Sequence, residues 1–182
     1  FHFRFETDAV EIIHTGHKMR LNQPARNLPG AYRAACAKWF PFSGQIPDSL
    51  AFTAPQYNTW IEMKYEPTQE KVLEYAKRIL AEGFPPGVLM IDDNWMNDYG
   101  DWTFHRERFP DPKTMVTALH KMGFKLMLWV CPYVSPDSVL GRSLLSRKLI
   151  LKWKNGEPLL KKWWNGYSML LDLTHQEALS WF

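Results

Sequence analysis

The sequence predicts an α/β fold built on a parallel sheet with helices packed outside it. Three observations carry that reading. Segments alternate as strand, helix, strand, helix, strand; two of the strands, GVLMIDD (87–93) and FKLMLWVCPYV (124–134), are nearly continuous apolar runs; and each intervening helix presents one apolar face. Near-continuous apolar strands are buried on both faces, as parallel sheets covered by helices require.

Taken in order, residues 1–20 alternate apolar and polar, at Phe1, Phe3 and Phe5 and again around Ile12 and Ile13, as the end of a β domain would. LNQPARNLPG (21–30) has linker composition, AYRAACAKWF (31–40) reads as a short helix, and PFSGQIPDSLAFTAPQ (41–56) is punctuated by prolines. Residues 21–55 are therefore expected to connect two domains. After Pro55 the rhythm changes, and YNTWIEMKY (57–65) reads as a strand. PTQEKVLEYAKRILAEG (67–83) is an amphipathic helix with Thr68 as N-cap, Val72, Tyr75, Ala76, Ile79 and Leu80 on one face, and Gly83 as its stop.

The apolar strand ending at Asp92-Asp93 comes next, followed by the loop NWMNDYGDWTFHRERFP (94–110). Asp111 and Pro112 supply the N-cap and first position of a second helix, whose buried face is Met115, Val116, Leu119 and Met122 and whose end is Gly123. Beyond the strand FKLMLWVCPYV, residues 138–167 read as a long insertion with its own helix and a hairpin reversing at Asn155-Gly156. SMLLDL (168–173) reads as one further strand. The chain opens without an initiator Met or a leader and stops at THQEALSWF, where a helix has just begun. A piece of a longer protein is expected, and a secreted or periplasmic location is compatible with it.

Composition narrows the chemistry. With 46% hydrophobic and 23% charged residues the chain is of ordinary globular type, and no apolar run is long enough for a transmembrane helix. A net charge of +3, from 22 basic and 19 acidic residues, is too balanced for a nucleic-acid partner. The most basic stretch, RKLILKWKNGEPLLKKWW (147–164), is broken by apolar residues and reads as an amphipathic surface. Cys36 and Cys131 form no CxxC pair, and His14 and His17 lack a third ligand nearby, so neither a metal nor a cofactor is expected. Nine tryptophans suit either a bulky core or a site for flat, partly apolar ligands such as sugars.

Ligands of parallel α/β folds bind at the carboxyl ends of the strands. Three ends are in view: one around Glu62, Lys64 and Tyr65, one at Asp92-Asp93 with Asn94 and Trp95, and one at Trp129 with Cys131 and Pro132 behind it. Strand side chains alternate, so Asp92 and Asp93 point in different directions unless the loop begins between them. An ionised carboxylate accepts sugar hydroxyls, but either Asp can instead end the strand by accepting backbone N–H groups. Trp129 suits a core as well as a pocket. Trp163 and Trp164 precede Asn165-Gly166, so at least one is expected in a turn, where it can lean over a pocket.

The block GVLMIDDNWMNDYGDWTFHRERFPDPKTMVTALHKMGFKLMLWVCPYVSPDS (87–138) resembles the early barrel of glycoside hydrolase family 31, the retaining α-glycosidases. The likeness lies in order and spacing: the acidic strand end at Asp92, the aromatic loop Asp101 to Phe104, the FPDP turn, a helix, and Trp129 with Pro132. WWNGYSMLLDLTHQEALSWF (163–182) is similar to a branch of that family with α-galactosidase-like members, and the resemblance covers residues 55–182.

It implies the first half of a (β/α)8 TIM barrel over residues 56–182, with a long insertion, preceded in residues 1–20 by the end of a β-sandwich. Asp92 corresponds to the carboxylate that holds hydroxyls of the sugar in the −1 subsite, and Asp93 beside it is expected to touch the same sugar. Trp129 corresponds to an aromatic lining that subsite, and Trp164 to the aromatic beside it. The implied reaction is hydrolysis of terminal α-linked sugars in oligosaccharides or glycoconjugates, α-galactosides foremost, with α-glucosides and α-xylosides as alternatives. A non-catalytic carbohydrate-binding protein is the alternative of another class, and a plain α/β domain with core tryptophans is a third.

Catalysis in the family uses an aspartate nucleophile and an aspartate acid/base. Both are expected beyond Phe182, the nucleophile about 20 residues further on, past a helix and a short loop. Asp172 precedes that helix and is not the nucleophile, so this chain alone is expected to be inactive. A complete barrel takes about 250 residues, so residues 56–182 are expected to leave an open sheet edge.

Overall fold

The computed structural model of the protein describes residues 2–5, 10–13 and 26–182, and the chain divides after Ile46 into two units. In the first, β1 (His2–Phe5) pairs antiparallel with β2 (Val10–Ile13), His2 facing Ile13 and Phe5 facing Val10. Helix α1 (Leu28–Trp39) belongs to the same unit; the Asn27 side chain accepts the Gly30 N–H at 2.9 Å, and no residue of the helix is fully buried. The His14 and His17 pair and the start of the linker at residues 21–25 lie outside the described residues.

The second unit, residues 47–182, holds the alternation read from the sequence. A short turn, α2 (Leu50–Thr53), leads to β3 (Gln56–Asn58), α3 (Trp60–Met63), α4 (Gln69–Ala81), β4 (Val88–Ile91), α5 (Pro112–Lys121) and β5 (Lys125–Leu128). The three strands form one parallel sheet in the order β3-β4-β5, with Asn58 level with Met90, and Met90 with Met127. Helices α4 and α5 are the two crossovers that parallel pairing requires. Each helix starts as its sequence dictates: Thr68 accepts the Lys71 N–H at 3.2 Å, and Asp111 accepts the Thr114 N–H at 3.0 Å. Gly83 and Gly123 follow with φ of +82° and +87°, a region glycine occupies without strain.

One core joins Val72, Ala76 and Ile79 of α4, Leu89 and Ile91 of β4, and Met115 and Leu119 of α5. Full burial of each large aliphatic side chain among these contributes about 1.5–3 kcal/mol. The central strand β4 is covered on both faces, as its continuous apolar run predicts. Pro55 lies so close to its start that a Cβ on Gly87 would stand 2.1 Å from the Pro55 carbonyl oxygen. Strand β5 differs from the expectation of full burial. Leu126 and Leu128 pack on the core while Lys125 and Met127, on the opposite face of the strand, are exposed.

Two further corrections concern β segments. YNTWIEMKY is not one strand: the Asn58 side chain accepts the Trp60 N–H at 2.7 Å, ending β3 and turning the chain into α3. The segment SMLLDL continues no parallel sheet. It enters β8 (Gly166–Leu170), which lies between β6 (Tyr133–Val134) and β7 (Leu160–Trp163) in a separate antiparallel sheet. The insertion does carry its own helix, α6 (Val139–Ser146), capped by Ser138. The chain reverses at Asn155-Gly156, flanked by a bridge between Lys152 and Pro158. The longer reversal, however, is the Trp164-Asn165 turn between β7 and β8. A second core of Val134, Leu144, Leu149, Ile150, Met169 and Leu171 holds this layer together, and α7 (Gln176–Trp181) adds Ala178 to it.

Candidate functional site

The carboxyl ends of β3, β4 and β5 are Asn58, Ile91 and Leu128, and the residues just beyond them converge. Asn58, Trp60, Tyr65, Asp92, Asp93, Trp129 and Trp164 line a single cavity of about 370 Å³. All four residues singled out in the sequence for sugar binding, Asp92, Asp93, Trp129 and Trp164, are thus brought together. Glu62 and Lys64 fall in and after α3 and do not line this cavity.

Asp92 is half-buried. The Asn58 side-chain amide donates to its Oδ2 at 2.7 Å and the Asp93 N–H donates to its Oδ1 at 2.8 Å, while its own N–H donates to Thr59 Oγ1 at 3.0 Å. Thr59 is fully buried, and its N–H donates to the Met90 carbonyl, so the Asp92 backbone is anchored from β3. An ionised carboxylate offers about four lone-pair sites, so two remain unspent in a residue that lines the cavity. Asp92 thus ends the strand by accepting a backbone N–H and keeps acceptor capacity in hand.

Asp93 is 2% exposed. Its Oδ1 accepts the Asn94 N–H at 2.7 Å, and its Oδ2 accepts the Tyr99 hydroxyl at 2.8 Å. Both oxygens are occupied by protein donors, which is how a buried carboxylate is tolerated. Burial holds the Tyr99 phenol above its ordinary range; the Asn165 amide opposes that shift and the Asp93 carboxylate reinforces it. Tyr99 is therefore a neutral hydroxyl that donates to Asp93. Burial also pushes the Cys131 thiol up to about 11, with the Tyr133 backbone opposing and Asp93 reinforcing.

Aromatic rings frame the opening. The Trp129 N–H donates to the Ile91 carbonyl, and its own carbonyl accepts the indole N–H of the buried Trp95 at 2.7 Å, so its backbone is locked. Trp164 is 66% exposed, with its ring centre 6.1 Å from Trp129 and 4.4 Å from Trp163. Trp60 meets Tyr65 edge to face at 4.9 Å on the β3 side. Such rings present apolar faces to a ligand whose edges are polar.

Asn58, Trp60, Tyr99 and Asn165 escaped the sequence reading as site residues. An Asx followed two residues later by the first turn of a helix was a usable signal for Asn58. Asn165 reaches Tyr99 across 66 positions of sequence, which no local pattern reports. Asp172 accepts both the N–H and the hydroxyl of Thr174, a local turn that leads into α7. Among the described residues no group of three or more His, Cys, Asp or Glu could hold a metal ion, and no helix is long and apolar enough to cross a membrane.

Residues 46–182 match the model of the glycosyl hydrolases family 31 TIM-barrel domain. The chain is 36% identical over 146 residues to the myogenesis-regulating glycosidase of Mus musculus, covering 80% of this chain and 20% of that protein. Among solved structures it is similar to a family 31 α-xylosidase from a soil metagenome, complexed with xylose, with a TM-score of 0.58 and 27% identity over 68% of this chain and 17% of that one. An α-galactosidase from Thermus thermophilus shares the fold with a TM-score of 0.61 at 24% identity, over 70% of this chain and 26% of that one. The chain spans about a fifth of the length of the mouse relative.

Proposed function

The chain belongs to glycosyl hydrolase family 31, and from that premise we propose that the protein carrying it hydrolyses terminal α-linked sugars, α-galactosides foremost, with retention of configuration. The observation that supports this best is Asp92: a carboxylate held rigidly at the end of a buried strand, with two lone-pair sites unspent, in a cavity walled by tryptophans. In this reading Asp92 accepts two hydroxyls of the terminal sugar, and Trp129 and Trp164 cover its C–H face. Asp93 contributes its cavity-facing edge. The galactoside preference rests on stereochemistry. In galactose the axial 4-hydroxyl lies on the same side of the ring as the 6-hydroxymethyl, so two adjacent acids can serve both. A glucoside turns the 4-hydroxyl equatorial, and a xyloside lacks the hydroxymethyl group.

Retaining hydrolysis places two carboxyl groups about 5–5.5 Å apart on either side of the scissile bond. Asp92 and Asp93 do not suit that task, since they are consecutive and one is bonded to the other's backbone. The nucleophile and the acid/base are assigned to chain beyond residue 182, and the β1–β2 ladder to the close of a preceding β domain. Replacement of Asp92 tests the reading. Loss of two hydrogen bonds to a charged group, about 1.5 kcal/mol or more each, lowers kcat/KM by about 10²-fold or more in Asp92→Ala of the intact protein. Near-normal kinetics in that variant remove the assignment.

A further inference from the structure

We propose that Tyr99 is a positioning residue whose hydroxyl locks the Trp164-Asn165 turn to Asp93 and thereby sets how Trp164 covers the sugar. The proposal rests on the sugar-binding reading of the cavity and adds to it a residue that does not line that cavity.

A second cavity, of about 520 Å³, is bordered by Asn94, Tyr99, Ser135, Asp137, Asn165 and Tyr167, among others. Neighbours in sequence split between the two spaces: Asp93 and Trp164 border the smaller, Asn94 and Asn165 the larger. A hydrogen-bonded chain runs from Asp93, which borders the smaller, through Tyr99 to Asn165, both of which border the larger.

The direction of that chain follows from the chemistry of its members. A buried carboxylate only accepts, so the Tyr99 O–H donates to Asp93 Oδ2 at 2.8 Å. The phenol oxygen is then left to accept, and the Asn165 amide donates to it at 2.5 Å. A flipped Asn165 amide would set two acceptors against each other, so the amide keeps one orientation and its bond ties the turn to Tyr99. Tyr99 can bear this role because its own backbone is fixed. Its N–H donates to Ser135 Oγ at 3.1 Å, and its carbonyl accepts the Ser135 N–H at 3.0 Å. Its ring meets Trp163 at 4.8 Å and Trp129 at 6.2 Å, both edge to face. Tyr99 thus joins the loop after β4, the segment after β6 and the β7–β8 turn.

The test uses the intact protein and three variants: Tyr99→Phe, Asn165→Ala and the double replacement. Phenylalanine keeps the ring contacts and deletes only the hydroxyl. Loss of one charge-assisted link raises KM for a nitrophenyl α-galactoside about tenfold, with kcat within about threefold, because Trp164 covers ground state and transition state alike. The double variant shows the same tenfold change and not its square, since both replacements cut one chain. Backbone amide exchange across residues 160–170 accelerates in every variant, while α4 and α5 keep their protection. An unchanged KM, a fall confined to kcat, or multiplying single effects overturns the proposal. A wild-type protein that turns over no α-glycoside removes the function, and the latch is then judged on exchange alone: unchanged exchange across the turn in both single variants overturns it.

Discussion

Asp92 and Asp93 are adjacent and each accepts two protein donors, yet one is half-buried and the other 2% exposed. Strand alternation made a divergence legible in the sequence, because consecutive side chains leave a strand on opposite sides. It did not say which acid would be the more buried. That depends on Asn58, 34 positions earlier, and on Tyr99, neither of which any periodicity marks. The tryptophans divide in the same way. Trp129 is fixed by backbone hydrogen bonds on both sides, whereas Trp164 stands exposed on a turn. Trp164→Ala is therefore expected to leave the unfolding midpoint nearly unchanged, as exposed positions generally do. The same change raises KM about five- to tenfold, the scale of one lost aromatic face. A midpoint that collapses together with activity would show that Trp164 holds the fold instead of the sugar.

The helices are the most legible elements, because their signals are local. Thr68 and Asp111 cap, Gly83 and Gly123 stop, and the apolar face between them has helical spacing. At Asp111 the Thr114 hydroxyl, and then the Thr114 N–H, hold the carboxyl below its ordinary range. A carboxylate lowered in the folded state contributes stability that is complete above the unfolded-chain value and is lost as pH falls through the folded value. The difference in denaturant midpoint between wild type and Asp111→Ala should be full near neutrality and shrink in acid; a gap that is constant with pH would assign the effect to packing. Strands were less legible. The apolar run in SMLLDL announces a β strand but not its partner, and β8 found antiparallel neighbours in β6 and β7 instead of a place in the parallel sheet. Both Asn-Gly pairs do mark reversals: the chain turns at Asn155-Gly156 and again at Trp164-Asn165, where a tryptophan was expected in a turn.

At the scale of the whole molecule, residues 47–182 supply three parallel strands, two crossover helices and an antiparallel layer over the strand ends. Membership of family 31 sets them within a TIM barrel, and an eight-stranded barrel needs strands on both open sides of β3 and β5 to close. The order of the elements carried the parallel sheet with its helices outside, the barrel came from the resemblance of residues 87–138, and the antiparallel layer was not foreseen. Sugar preference is a different matter, because it turns on groups around C4 and C6 contributed from several strand ends at once. The measurement that bears on it most directly is release of nitrophenol from α-galactoside, α-glucoside and α-xyloside by the intact protein, side by side. Hydrolysis of the α-galactoside in preference to the other two is the expected result. Failure to hydrolyse any of the three, with sugar still bound, would contradict the account and make the cavity that of a carbohydrate-binding protein without catalysis.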